Sequence, residues 1–378
     1  MKIPITKPEF DQEEEQAVLE VLRSGWVSQG PKVAQFEAAL AGYTEARHAV
    51  ATTSCTGALH LLLAALGLGP GDEVLVPAFT FVATANAVEY QGAVPVFVDI
   101  DLRTFNVAVE EVEARITPRT RAIIPVHLFG LSADMDPILE LGRRYRLAVI
   151  EDAACAIGSR YRDRHVGALG TAGAFSFHPR KVITTGEGGA VTTNDENLAN
   201  RVQVLRNHGA RLSDLERHQA NAAVLDEYDE VGFNYRMTDV QAAIGIAQLG
   251  KANRLIARRR FLAGRYTESL KELPGLQTPW EPGGYTHTYQ SYVLLVEGEA
   301  LKSRDEVAEA LNRCGIAVRQ GTHAVHALAY YRRKYGLKES HCPNAWIADR
   351  QSLTLPLYPS MDEATQDRVI TALRDFRR

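Results

Sequence analysis

The chain has little of what staples, anchors or exports a protein. Only four cysteines occur in 378 residues, at 55, 155, 314 and 342, with no CxxC pair. Their spacing suits neither a zinc framework nor a disulfide scaffold, and small buried thiols in a reducing compartment is the stronger reading. No apolar run reaches the length of a membrane span. The opening stretch MKIPITKPEFDQEEEQ is charged and lacks an apolar core, so nothing in it points to export and a cytoplasmic setting is expected. Charge of one sign is also missing. The 42 basic and 46 acidic side chains leave a formal net of -4, which argues against nucleic acid as a partner. No G-x-G-x-x-G follows the first strand-like run, which disfavours a dinucleotide-binding protein, and there are no repeats or low-complexity tracts. What is present is ordinary for a globular protein: 46% apolar and 23% charged residues, in a length that allows two or three domains and a large core.

An opening helix is expected with Asp11 as cap, Glu14 as its box partner and Gly25 as its stop. A second helix is expected over 32–42. From about residue 48, short apolar runs alternate with helical stretches. Strands are expected at 74–76, 96–98, 122–126, 148–150, 175–177 and 190–192, with helices at 57–66, 83–91 and 137–146. Runs apolar on both faces suit a mostly parallel sheet covered by helices. The last two runs are too close for a helical crossover, so one of that pair should be antiparallel. One long helix is expected from Thr238 past Arg260. A smaller α+β unit follows, with strands at 291–296 and 316–318 and helices at 304–313 and 362–376, and the N-terminal helix is expected among its partners. The division expected is 1–250 for the large unit and 251–378 for the small one.

Four features carry chemistry. Asp152 ends a buried run, and ligands bind at strand ends in open α/β sheets; a loop carboxylate or helix cap is an even competitor. Lys181 leaves another buried run in a Gly-rich turn, where burial and the neighbouring Arg180 are expected to depress its pKa and favour a neutral, nucleophilic amine. Thr52 to Gly57 place small hydroxyl residues at a helix N-terminus, a ready phosphate cradle, although plain capping is common. Phe81 follows a strand and offers a ring for stacking, where core packing is the ordinary alternative. Each is weak alone. Together they supply a phosphate cradle, a platform, an acid for a pyridine nitrogen and a lysine for an aldehyde, the set that pyridoxal phosphate requires.

The residues then resemble a known family. SGWVSQGPKVAQFE (24–37), TTSCTGALHLLLAAL (52–66), GDEVLVPAFTFVATANAV (71–88), VIEDAACAIGSRY (149–161), GAFSFHPRKVITTGEGGAVTTND (173–195) and GFNYRMTDVQAAIGIAQL (232–249) are similar, in order and over nearly the whole chain, to the DegT/DnrJ/StrS-type sugar aminotransferases. The resemblance implies the aspartate-aminotransferase-like fold (fold type I), a mostly parallel seven-stranded sheet with helices on both faces plus a smaller α+β domain. It implies pyridoxal phosphate as cofactor, with pyridoxamine phosphate as its alternate form. Lys181 matches the Schiff-base lysine, Asp152 the acid at the pyridine nitrogen and Phe81 the stacking ring. Thr56 and Ser176 match phosphate-binding hydroxyls, aided by the N–H groups of Cys55 and Thr56. Asn234 matches a residue that reaches the neighbouring subunit's phosphate, which implies a homodimer with shared sites.

Two positions depart from the pattern. Cys155 stands where relatives often carry Gln or His, and a thiol is a poorer hydrogen-bonding partner. Cys55 stands where relatives often carry Gly, so an ordinary helical start is expected there instead of a positive-φ turn. The resemblance implies L-glutamate as donor and a nucleotide-linked keto-sugar as acceptor, with a 4-keto-6-deoxyhexose favoured over carbon-3 ketones and cyclitol ketones. Candidate acceptor contacts are Trp26, Gly30, Arg211, Tyr235, Arg236, His323 and His326. The two histidines lack acidic or thiol companions at ligand spacing, so no metal is expected. A related dehydratase would replace Lys181 by His, and a non-catalytic regulator of the same fold would not need Lys181 and Asp152.

Overall fold

The computed structural model describes residues 2–210, 227–228, 230–297 and 303–375. Its first helix, α1 (Gln12–Ser24), has the expected capping box between Asp11 and Glu14 and ends at Gly25, whose φ of 75° needs a residue without Cβ. Helix α2 (Pro31–Thr44) follows, with proline at its start. Then come β1 (His48–Thr52), α3 (Cys55–Ala65), β2 (Glu73–Pro77), β3 (Phe79–Thr80), α4 (Ala83–Tyr90), β4 (Val94–Val98), β5 (Thr120–Ile123), α5 (Met135–Tyr145), β6 (Ala148–Asp152), β7 (Ala172–Ser176) and β8 (Gly189–Thr193).

Seven of these strands form one sheet in the order β1-β8-β7-β6-β5-β2-β4. The strands β4, β2, β5, β6 and β7 pair in parallel, while β8 is antiparallel to both β7 and β1. This is the single reversal expected from the short link between β7 and β8. Strand alternation sorts side chains onto two faces. Val74 and Val76 point into one buried core with α3 and α4, and Leu75 into another with α2 and α5. With both faces covered, the functional residues collect at the strand ends.

The long helix expected from Thr238 is two helices, α6 (Asp239–Gly250) and α7 (Ala252–Leu270). Lys251 leaves helical geometry at φ -102°, ψ 3°. Its ammonium meets Asp11 and Glu14 at 2.7 Å each, a long-range pairing that helix periodicity cannot reveal. The same contact places α1. That helix docks on α6, with Gln248 Nε2 donating to Glu14 Oε1 at 2.8 Å. It is instead the residues before α1 that join the second core. Ile3 N donates to Gly315 O at 2.8 Å, and Leu357 N to Ile5 O at 3.1 Å.

That second core surrounds a three-stranded antiparallel sheet of β9 (Leu276–Gln277), β10 (Tyr292–Val296) and β12 (Ser352–Leu355), with β11 (His323–Ala324) between them in sequence. The end of α7, α8 (Arg304–Arg313) and α9 (Glu363–Asp375) cover it through Leu262, Tyr266, Leu311 and Val369. Residues 316–318 are not a strand: Ile316 makes one isolated bridge to Ile3. Buried Arg259 ties α7 to this layer by donating to the carbonyls of Tyr289, Gln290 and Leu357 at 3.2–3.4 Å. Among the described residues no helix is long and apolar enough to cross a membrane.

Candidate functional site

Asp152 is the last residue of β6 and is 5% exposed. Thr84 Oγ1, fully buried at the start of α4, donates to its Oδ2 at 2.7 Å, and Ala154 N–H donates to Oδ1 at 3.1 Å. Donors at both oxygens fix the direction of this buried carboxyl group. Its neighbour Glu151 points to the opposite face of the strand. There it accepts from His127 Nε2 at 2.9 Å and from the N–H groups of Gly167, Leu169 and Gly170 at 2.7–2.9 Å. Ala133 N–H donates to His127 Nδ1 at 3.1 Å, which puts the imidazole proton on Nε2, facing Glu151. Of the two adjacent acids, one therefore locks the loop leading into β7 and the other faces the cleft. Neither Thr84 nor Glu151 was singled out from sequence. The only signal was the strand alternation that must send consecutive acids to opposite faces.

Lys181 follows β7 and donates from Nζ to Cys155 Sγ at 3.1 Å. Its environment corrects the expected depressed pKa. Burial does disfavour the ammonium, but Cys155, Cys55 and the Asp152 carboxylate outweigh it and hold the amine above its ordinary value. Arg180 lines a neighbouring cleft with Gln290 and Arg319. Cys55 is buried at the first turn of α3, where desolvation and the Asp152 charge push its thiol well up. Lys181, Asp152, Cys155 and Cys55 thus lie close together at the strand ends.

The phosphate cradle is built by close packing. Gly189 pairs with Thr52 on one side and Ser176 on the other, and a Cβ there would lie 2.3–2.5 Å from the Ser54–Cys55 backbone. Only glycine lets the N-terminus of α3 press onto the end of β8 beside Ser176. Ser54 caps its own helix, accepting from Gly57 N–H at 3.1 Å, so capping and cradle coexist. Cys55 begins α3 without a positive φ, as expected. Among the described residues the N–H groups of Cys55 and Thr56 have no acceptor. Phe81 is 63% exposed beside Asp152's partner Thr84 and, among the described residues, makes no ring contact. Orphaned helix N–H groups, a fixed acid, an open ring face and a part-buried lysine are the donor set that pyridoxal phosphate fits.

The remaining candidates separate. His323 is exposed and paired with Thr80, one residue before Phe81. His326 is buried against Phe97 with its Nε2 toward Glu339 O, away from that mouth. Gly30 has a structural duty: its N–H donates to Asp239 Oδ1 at 2.8 Å and a Cβ would strike the Trp26 indole at 2.0 Å. Trp26 Nε1 donates to Gln29 O at 3.1 Å. Tyr235 stacks on Phe233 and its hydroxyl sits 3.1 Å from His60 Nδ1. Arg236 donates to Asn207 Oδ1 at 2.7 Å, which engages a guanidinium expected to meet substrate phosphate. Asn234 is exposed. Arg211 lies outside the described residues.

Comparison with known proteins agrees with the resemblance. The model of the DegT/DnrJ/EryC1/StrS aminotransferase family matches residues 8–374. The chain is 44% identical over 376 residues to the spore coat polysaccharide biosynthesis protein SpsC of Bacillus subtilis (strain 168), covering 99% of this chain and 97% of that protein. Among solved structures it is similar to DesV of S. venezuelae in complex with a ketimine intermediate, at 36% identity and a TM-score of 0.90, covering 100% and 98% of the two chains. It is likewise similar to a Streptococcus pneumoniae chain described as a sugar aminotransferase and solved in its PLP form, at 28% identity and a TM-score of 0.93, covering 100% and 99%. The chain belongs to the DegT/DnrJ/EryC1/StrS aminotransferase family: it is a sugar aminotransferase with the aspartate-aminotransferase-like fold, and pyridoxal phosphate is its cofactor.

Proposed function

We propose that the enzyme moves the amino group of L-glutamate to a nucleotide-linked keto-sugar, a 4-keto-6-deoxyhexose, at the strand ends where Lys181, Asp152, Cys55 and Cys155 lie close together. The observation that carries the transamination chemistry is the Lys181 Nζ to Cys155 Sγ contact at 3.1 Å beside the fixed Asp152 carboxylate, while the donor and acceptor are those the resemblance implies. The bound cofactor supplies an aldehyde that exchanges amines and a ring that accepts electron density. Thr56, Ser176 and the free N–H groups of α3 hold its phosphate, Phe81 stacks on its ring, and Asp152 holds a proton on its ring nitrogen.

Lys181 Nζ moves the other proton. In the chain alone, three neighbours keep the amine protonated against the pull of burial. Once the Asp152 charge is matched by a ring N–H, one of those three is cancelled and burial gains weight, favouring the neutral amine. That amine takes the Cα proton of the donor. In the second half of the cycle the ammonium returns a proton to the acceptor carbon. Cys155 Sγ is the atom that holds Nζ in place between these transfers.

In this reading residues 1–250 carry the cofactor and 251–378 form the smaller unit. Two copies share their sites, with exposed Asn234 reaching the neighbour's phosphate. The test is a panel of nucleotide-linked 3-keto and 4-keto sugars with L-glutamate, followed by product identification. We expect 2-oxoglutarate and an amine at carbon 4. An amine at carbon 3, or turnover only with keto-cyclitols, would overturn the acceptor assignment.

A further inference from the structure

Two thiols stand beside Lys181, and transamination uses the redox chemistry of neither. Cys155 follows the end of β6 by three residues and is half-buried, whereas Cys55 is buried at the first turn of α3. Lys181 Nζ, itself part-buried, donates to Cys155 Sγ at 3.1 Å. Hydrogen bonds fix the backbone on both sides of this contact. Ala153 N–H donates to Ala174 O of β7 at 2.9 Å, and Ala156 N–H to Ala153 O at 2.9 Å. Lys181 N–H donates to His178 O at 2.8 Å, and Gln290 Nε2 donates to Arg180 O at 2.8 Å. A sulfur within reach of solvent and an amine thus face each other at the separation, about 3 to 3.5 Å, from which a bond between two held groups forms readily.

We propose that Cys155 is a peroxide-sensitive modification site whose oxidised sulfur is captured by Lys181 Nζ as a sulfur–nitrogen bond, which shuts the enzyme off reversibly. The shut-off rests on the reading that Lys181 holds the cofactor's aldehyde; the bond itself does not. In the first step the Cys155 thiol meets hydrogen peroxide. A sulfur–oxygen bond forms, the oxygen–oxygen bond breaks, the sulfur gives up two electrons and one water leaves, so that Cys155 becomes a sulfenic acid. Such an acid condenses with a neighbouring nitrogen or thiol.

The nitrogen is the better placed of the two. Burial disfavours the Lys181 ammonium, and Cys155 is the strongest of the groups that oppose burial. Oxidation of the sulfur weakens that opposition, so the ammonium gives a proton to solvent and the neutral amine is favoured. Cys55 competes poorly, because desolvation and the Asp152 charge push its thiol well up and the thiolate is the attacking form. Lys181 Nζ then attacks Cys155 Sγ. The sulfur–nitrogen bond forms, the sulfur–oxygen bond breaks, and the hydroxyl leaves as water with one proton from the nitrogen. A reducing dithiol reverses the change: it delivers two electrons, becomes a disulfide, and returns the Cys155 thiol and the Lys181 amine. A nitrogen engaged with the cofactor's aldehyde is not free to attack, so the bridge belongs to the cofactor-free and pyridoxamine-loaded forms.

The test treats cofactor-free, pyridoxal phosphate-loaded and pyridoxamine phosphate-loaded proteins with hydrogen peroxide, followed by digestion and mass spectrometry. In the first and third, the peptides carrying Cys155 and Lys181 should appear joined and two hydrogens lighter than their sum. The joined protein should lose the visible absorbance otherwise gained on adding pyridoxal phosphate, and dithiothreitol should restore it. The pyridoxal-loaded protein should show little joining. Cys155→Ser should show none, and Cys55→Ser as much as wild type. The wild-type peptides alone decide the matter if either variant fails to fold.

Cys155 carrying two or three oxygens with Lys181 free, or a disulfide between Cys155 and Cys55, would overturn the proposal. So would an unmodified Cys155 in a sample whose exposed Cys314 is oxidised. A bridge that forms equally with pyridoxal phosphate bound would leave the sulfur–nitrogen bond standing and overturn the reading of Lys181, and the shut-off with it.

Discussion

Lys181→Ala should lower transamination by about 10,000-fold or more while the protein stays folded. The size follows from two losses at one atom. The residue supplies the amine that takes the cofactor's aldehyde and the base that moves the Cα proton, and a positioned acid–base group alone contributes about 100- to 10,000-fold. Stability should fall only modestly, because the favourable influences that outweigh burial at this ammonium are lost while no buried carboxylate is left without a donor. Asp152 retains Thr84 and Ala154 as donors. Steady-state turnover with L-glutamate, together with a melting curve, checks both parts. Turnover above about one per cent of wild type would remove Lys181 from the proton transfer.

The second large effect is expected at Asp152. Asp152→Asn keeps the shape of the side chain, and its amide oxygen can still accept from Thr84 Oγ1. The negative charge is what disappears. Without it nothing fixes a proton on the cofactor's ring nitrogen, and the ring becomes a poor electron acceptor. Loss of preorganised electrostatic stabilisation at a reacting centre costs about 100- to 1,000-fold, and we expect the upper end because the site is buried. The glutamate half-reaction, followed by single-turnover absorbance, should slow by that factor while cofactor is still bound through α3 and Ser176. The same substitution removes one of the influences that hold Lys181 protonated, so the amine should titrate at lower pH than in wild type. A half-reaction within about threefold of wild type would show that the charge at 152 is not used.

The chemistry was legible in the sequence to the extent that it follows from strand ends. Asp152, Lys181, Phe81, Thr56 and Ser176 each stand next to an apolar run, and alternating runs and helices imply the sheet that gathers them. The antiparallel turn of β8 was legible from the short link alone. What could not be read depends on contacts between distant residues. Lys181 reads as a depressed amine from its neighbour Arg180, but the fold turns it to Cys155, 26 residues away, and to Asp152. Gly30 reads as a substrate loop residue, yet Asp239 caps α2 through its N–H across 209 positions. The break at Lys251 is set by Asp11 and Glu14. His323 and His326 are three apart in sequence, but one lies at the mouth and the other in the core, a separation set by the turn after β11.

The most direct test is to reduce the cofactor-loaded enzyme with borohydride, digest it and locate the modified peptide by mass spectrometry. A lysine that binds the cofactor's aldehyde is fixed to it by reduction. The phosphopyridoxyl group should sit on Lys181 and be absent from Lys181→Ala. Modification at another lysine in the wild-type chain, or recovery of all of the cofactor unattached, would contradict the assignment on which the mechanism depends.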